Sequence, residues 1–275
     1  LGIGVFNGIT AGQQTEVLNL TDSSERTITI SPLSNYNVLV LDQNLKNNSF
    51  VTFTNTNVWR AGSFYDANVS ALKTKLNTPS NDYFIDLDLK VSSIIDNQTD
   101  LGHSWGFETG KQRGNFTFGL NYYEESDTYD PNDLGFLMAN NERSTRLEVG
   151  YRNFNPKILN LNKFFSNFSI SNQRLYAPNR YGGTYWRGNL TMITNHFNAM
   201  GLRFNGTIGE VNDYFEPSVW GENFFRPVWT SSRAWISTNY QKPFAIDLGL
   251  RYTDVKRNDW WEWGYDTELR FRLSN

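Results

Sequence analysis

No stretch of this chain narrows its fold as much as the run from Trp261 to Leu273, WEWGYDTELRFRL. Trp261, Trp263, Tyr265, Thr267, Leu269, Phe271 and Leu273 share one parity, and Glu262, Gly264, Asp266, Glu268, Arg270 and Arg272 share the other. Successive side chains of a strand point to opposite faces. One face of this strand is therefore aromatic and aliphatic, and the other is charged. A soluble sandwich rarely puts so many charges on a second face. A barrel wall with hydrocarbon outside and water inside needs this pattern, with aromatics clustered at the interface. Taken alone, the strand also fits an exposed edge hairpin of a soluble β-protein, so the rest of the chain has to decide.

Composition removes several alternatives. The mean hydropathy is negative, and no apolar run approaches the ~18 residues that a membrane-spanning helix requires. A helical membrane protein is excluded, whereas a strand-built one is not, because its apolar residues are interleaved with polar ones. Aromatic residues make up 16% of the chain, as interface girdles would require. A net charge of −3 suggests no nucleic-acid partner. The absence of cysteine rules out disulfide scaffolds and thiolate metal sites. The chain opens on LGIGVFNGIT, without a charged or apolar leader, and ends directly after a strand. It is expected to be a processed or partial piece of a longer polypeptide, with further strands beyond either end. Sequons at Asn19, Asn47, Asn68, Asn97, Asn115, Asn167, Asn189 and Asn205 are read as products of an Asn-rich composition, since several fall inside predicted strands.

Strand-like alternation recurs along the chain. Runs at 36–45, 50–59, 64–76, 83–93, 103–111, 116–124, 143–154, 164–176, 183–194, 199–210, 232–240 and 244–254 join the opening and final strands to give about fourteen. Connections after even-numbered strands are mostly short, whereas the long ones, 11–35, 125–142 and 211–231, all follow odd-numbered strands. Sorting of loop length by parity is expected of a transmembrane up-and-down barrel and not of a Greek-key sandwich. The reading is one all-β domain over 1–275: a transmembrane antiparallel β-barrel of about fourteen strands, with room for it to be part of a larger barrel.

The polar parity collects Lys90, Arg146, Arg152, Arg187, Arg203, Arg251, Arg270 and Arg272, together with Asp86, Asp88, Glu108, Glu148, Asp247, Glu262, Asp266 and Glu268. A charge at the bilayer midplane on the lipid face costs ~2–4 kcal/mol, so these side chains are expected to face the lumen. Neighbouring strands would pair them, Arg251 with Glu262 for example. Two functional readings follow: a polar conduit or docking cavity, or a wall of paired charges that keeps the interior solvated. The balance of signs argues against strong ion selectivity.

Catalysis is not expected. His103 and Ser104 are adjacent and point to opposite faces, His196 lies in a short turn, and no paired-Asp protease set is visible. A barrel hydrolase is the least favoured reading. The loop EESDTYDPNDLG carries Asp127, Asp130 and Asp133 as weak Ca²⁺ candidates, but a solvated outer loop is preferred, and no metal or other cofactor is expected. The loop 211–231 carries Trp220, Phe224, Phe225 and Trp229, with Tyr214 and Phe215, and is expected to be packed or to bind.

The stretches LGIGVFNGIT, NYNVLVLDQNLKNNSFVTFTNTNVWR (35–60) and YDPNDLGFL (129–137) resemble a family of uncharacterised Bacteroidetes outer-membrane barrels. These often carry an N-terminal domain similar to family 9 carbohydrate-binding modules, and no such module is expected within residues 1–275. The resemblance implies a bacterial outer-membrane location. It implies a bilayer with lipopolysaccharide as surroundings, and other outer-membrane proteins and carbohydrate as candidate partners. It carries over no catalytic residues. The expected function is non-enzymatic passage or uptake of a polar solute, with a glycan-derived one among the candidates; the alternative is a structural barrel subunit of a larger envelope complex.

Overall fold

The computed structural model describes residues 1–157, 160–217, 219, 221–257 and 260–272. Leu273 and Trp220 lie outside the described residues. Among those described there are strands and no helix. In chain order the strands are β1 (Gly2–Thr10), β2 (Gln13–Leu18), β3 (Glu25–Ser31), β4 (Ser34–Leu45), β5 (Ser49–Arg60), β6 (Asp66–Asn77), β7 (Tyr83–Ile95), β8 (Thr99–Lys111) and β9 (Phe116–Glu125). They continue as β10 (Glu142–Asn153), β11 (Leu161–Leu175), β12 (Tyr181–Thr194), β13 (Ala199–Thr207), β14 (Val211–Asp213), β15 (Phe224–Arg226), β16 (Trp229–Ser237), β17 (Phe244–Val255) and β18 (Trp260–Phe271).

Fourteen strands form one sheet in the order β1-β4-β5-β6-β7-β8-β9-β10-β11-β12-β13-β16-β17-β18, so each strand pairs with its neighbours in the chain. All fourteen expected strands are present. Two features depart from expectation. The sheet is not closed: β1 and β18 are its edges and, among the described residues, do not pair with each other. The loops 11–35 and 211–231 contain small hairpins of their own, β2-β3 and β14-β15. The β4-β5 turn shows why the chain reverses where it does. Asn47 and Asn48 both have positive φ, and the Ser49 N–H donates to the Lys46 carbonyl at 3.2 Å, as in a type I′ turn. Asparagine tolerates that backbone better than other residues with a Cβ.

The chain divides into two compact units: Leu1–Pro79 with Ile85–Phe107 and Tyr123–Glu142, and Ser80–Phe84 with Glu108–Tyr122 and Arg143–Asn275. In the first unit, cross-strand register puts Val58 opposite Ala67 and Thr56 opposite Val69 on one face of β5 and β6. On the other face, Asn7, Asn37, Asn57 and Asn68 stand directly opposite one another on β1, β4, β5 and β6. Leu41, Phe53 and Leu72 share that second face.

In the second unit, register separates the faces cleanly. Ile246, Leu248, Leu250 and Tyr252 of β17 oppose Leu269, Thr267, Tyr265 and Trp263 of β18. Tyr252 and Trp263 have ring centroids 4.7 Å apart, and Phe244 and Phe271 5.2 Å apart, close enough for favourable tilted packing. Among the described residues nothing buries this face: Leu250 is 59% exposed and Tyr265 84%. Few large apolar residues are buried at all. Among the described residues the fully buried hydrophobics are Val58, Ala67, Tyr129, Leu161, Leu175, Val211 and Ala245.

Candidate functional site

The charged face of the second unit is organised in rows that cross the strands. One row runs Asn167, Asn189, Arg203, Arg233, Arg251 on β11, β12, β13, β16 and β17, each residue registered opposite the next. Two steps along the strands, Ser237, Asp247 and Glu268 form a second row. Between them lie Gly201, Trp235, Gly249 and Asp266. Most charges are paired. Arg233 Nη2 donates to both oxygens of Asp266 at 2.9 Å, and Arg251 Nη2 to Glu262 at 2.9 Å, the pairing expected from the sequence. Arg270 Nε lies 3.0 Å from Glu268 and 3.5 Å from Asp247, whose two oxygens also accept from the Tyr240 hydroxyl at 2.7 and 2.6 Å.

Glycines set the relief of this face. A Cβ at Gly201 would meet the Trp235 indole at 2.5 Å, one at Gly249 the Asp266 carboxylate at 2.5 Å, and one at Gly264 the Arg251 guanidinium at 3.2 Å. Three large side chains therefore lie flat against the sheet instead of standing up from it. The result is a depression of about 690 Å³ lined by Asn189, Arg203, Arg233, Trp235, Tyr240 and Glu268, among others. A second depression, of about 480 Å³, is lined by Glu108, Lys111, Asn121, Arg146, Glu148 and Arg152. There Arg146 pairs with Glu148 at 2.9 Å, and Arg152 donates to the carbonyls of Gln112 and Gly114 at 2.6 and 3.0 Å.

In the first unit, Asp88 pairs with Lys90 at 2.9 Å, and Asp86 has the same parity on β7. Ser92 continues that parity, and its hydroxyl accepts the Asp130 N–H at 3.0 Å. This contact belongs to the segment 126–141, which contains most of the stretch 124–135 expected from the sequence to be a solvated outer loop. It is instead clamped on the strands. Thr128 Oγ1 donates to the Leu101 carbonyl at 2.7 Å, and Ser126 exchanges backbone and hydroxyl bonds with His103 at 2.9 Å. Tyr129 is 5% exposed, and burial, with the charges of Glu125 and Asp88 nearby, pushes its hydroxyl up to about 12. Gly102 permits the clamp, since a Cβ there would lie 2.3 Å from Tyr129 Cα. The physical reason for the correction is hydrogen bonding: Asp130, Asn132, Asp133 and Asn140 are engaged by backbone and neighbouring side chains, while Asp127 stays exposed.

The calcium candidates do not converge. The Asp133 carboxylate is held by Arg60 and by the Tyr65 hydroxyl, and Asp130 Oδ1 accepts from Asn132 at 2.9 and 2.8 Å. Asp127 is exposed and lies outside both groupings. No group of three or more metal-ligating side chains exists among the described residues. His103 Nε2 lies 3.4 Å from Glu124, which also accepts from Trp105 Nε1 at 3.1 Å, while Ser104 is buried beside Tyr123. In the loop 211–231, β14 and β15 pack down: Asn212 Nδ2 and Tyr214 OH donate to the Tyr181 carbonyl at 3.3 and 3.2 Å. Arg257 lies 5.2 Å over the Phe225 ring, Phe224 is exposed, and Trp229 begins β16 opposite Val255.

A family described as "Domain of unknown function (DUF5916)" matches residues 1–275. The chain belongs to the DUF5916 family. No curated protein matches it. DUF5916 brings no assigned activity, so every site assignment in this member rests on geometry. Two contributors were missed in the sequence, Arg233 and Trp235. Each sits among Ser, Ala and Ile in a run without charge alternation, and the cross-strand register is what aligns Arg233 with Arg203 and Arg251. Asp86, Arg187, Glu262 and Arg272 lie on strands or strand ends as expected, with Arg272 just past β18 at the edge.

Proposed function

We propose that this DUF5916 chain is the wall, or part of the wall, of a bacterial outer-membrane barrel through which a polar solute passes. The observation that carries the reading is the pairing of one exposed apolar face with one charged, relieved face across the same strands. In water, Leu248, Leu250, Tyr265 and Leu269 would form an exposed apolar patch of a size that soluble chains rarely keep. Against hydrocarbon the same face needs no cover, and the charges on the other face line an aqueous space. Closure of the sheet requires β1 to pair with β18, or further strands between them. The surroundings are then bilayer and lipopolysaccharide, and no chemical step is assigned to the protein.

The second reading, a structural subunit of a larger envelope complex, draws support from two features. Both edge strands keep unpaired backbone groups, which templates pairing with another chain. The segment 126–141 also covers part of one strand face. Planar-bilayer recording separates the readings. Open-channel steps in the presence of the purified protein support passage; a silent bilayer, with stoichiometric co-purification of a second barrel, supports the subunit role.

A further inference from the structure

The row that includes Arg203 and Arg233 is built against its own electrostatics. Arg203 stands directly opposite Arg233, and Arg233 directly opposite Arg251. Like charges directly opposite one another on adjacent strands are destabilising. Two of the three are offset, Arg233 by Asp266 and Arg251 by Glu262. Arg203 has no carboxylate or hydrogen-bond partner among the described residues, and neither does Arg187 on the next strand. Arg187 lies opposite Asn205, two positions from Arg203 on the same face, which is the diagonal-neighbour relation. Asn189, opposite Arg203, adds an amide donor. Arg233 Nε is screened from solvent and has no hydrogen-bond partner. Guanidinium groups donate and cannot accept. The row thus presents a surplus of donors and positive charge, at the side of a depression of about 690 Å³.

The acids nearby do not cancel this surplus. Three acids line the depression and each is engaged: Asp266 by Arg233, Asp247 by Tyr240 and Arg270, and Glu268 by Arg270, which leaves Arg203 and Arg187 uncompensated. Trp235, laid flat over Gly201, supplies an aromatic surface beside the row. The geometry points to a binding site for a small oxyanion: a carboxylate- or phosphate-bearing solute of monosaccharide size, its anionic group on Arg203 and Arg187 and its body against Trp235. Arginine suits both groups because its planar fork binds two oxygens at once. This deepens the passage reading, on which it rests, by naming the class of solute.

Isothermal titration of the purified chain in detergent micelles tests it, with glucose 6-phosphate, glucuronate and glucose as probes. At low salt, at least one charged sugar is expected to bind ten-fold or more tightly than glucose, and the one that binds names the anionic group. Arg203→Gln is expected to weaken that binding about ten-fold, Arg203→Lys less, and Arg146→Gln, in the other depression, not at all. Circular dichroism of each variant establishes that the strands are retained. Equal binding of glucose, no binding of either charged sugar, or full affinity in Arg203→Gln overturns the site. Titration needs no open channel, so binding without bilayer conductance removes the passage reading and leaves the site standing. Conductance without binding does the reverse.

Discussion

Two polar rows cross this sheet, and they solve the same problem differently. In the first unit, Asn7, Asn37, Asn57 and Asn68 line up across β1, β4, β5 and β6. In the second, Asn189, Arg203, Arg233 and Arg251 line up across β12, β13, β16 and β17. An amide both donates and accepts, so the first row with its neighbours largely satisfies itself. Asn7 Nδ2 donates to Asn35 and Asn37 at 2.6 and 2.7 Å, and Asn55 Nδ2 to Asn68 and Ser70 at 3.1 and 2.9 Å. Arginines cannot do this among themselves. Their row needs acids, water or a ligand. The amide row is closed chemistry except at the Asn57 carbonyl oxygen, and the arginine row is open chemistry. The rows also keep different company: the amides share a face with Leu41, Phe53 and Leu72, whereas the arginines lie opposite the apolar parity.

The sharpest way to break this comparison is to put a charge on the wrong face of the second unit. Leu250 and Arg251 are sequence neighbours on opposite faces of β17. If the Leu250 face meets hydrocarbon, Leu250→Arg costs about 2–4 kcal/mol. Denaturant titration of the refolded protein in lipid vesicles would read this. A cost near zero would mean that both faces meet water and would remove the bilayer from the account.

Next in size is the clamp in the first unit. At Gly102→Val the new Cβ meets the backbone of Tyr129 and Thr128, neither of which is a flexible side-chain end. Overpacking of this kind costs about 1–3 kcal/mol. The segment 126–141 should lift, becoming sensitive to protease while the strands stay intact. Persistent protection of Tyr129 would show that the segment is held by something other than the Ser92, Leu101 and His103 contacts.

The amide row offers a paired test. Asn55→Leu strands the partners Asn68 and Ser70, and leaving buried polar groups unpaired costs about 1–3 kcal/mol, with this part-exposed site at the lower end. Asn57→Leu instead removes a carbonyl oxygen that is screened and has no partner, so it should be neutral or stabilising. Equal losses would mean that the row acts as one network. In the arginine row, by contrast, Glu262→Gln removes an exposed pair to Arg251 and should cost under about 1 kcal/mol, less at high salt.

These contrasts also mark what the sequence disclosed. The parity of Ile246, Leu248 and Leu250 against Asp247, Gly249 and Arg251 is readable because strand period is fixed at two. All fourteen sheet strands are accordingly legible in the sequence. Register is not written in parity. Nothing local to Arg233 or Asn57 says which residue of the next strand stands opposite, so neither row was visible. The loop 126–141 misled for a related reason. Its Asp and Asn content reads as solvated, while the partners that bury it, Ser92, Leu101 and His103, are supplied by distant strands. The hairpin β14-β15 is hidden because its strands are three residues each, too short for alternation to register, and β2-β3 lies within a loop read only by its length.

The smallest effect belongs to the β14-β15 hairpin, where the bonds to the Asp213 carboxylate are local. Burial alone would push the Asp213 carboxyl up, but N–H groups of Phe215 and Glu216 donate to it at 3.0 and 3.1 Å, and Arg226 donates at 3.1 Å. The bonds win, and the carboxyl is held below its ordinary value. A carboxyl whose folded value is depressed stabilises the fold above its unfolded value, and loses that contribution as pH falls through the folded one. The hairpin should therefore hold at neutral pH and loosen at strongly acid pH, with Asp213→Asn loose at both. Amide exchange at Phe224, Phe225 and Arg226 would follow it. Since β14 pairs with β15 through three residue pairs only, loosening should stay within 211–226 and leave the pairing of β13 with β16 protected. Acid loosening that spread into β16 would mean that the loop braces the arginine row, and the two rows would then differ in what supports them as well as in what satisfies them.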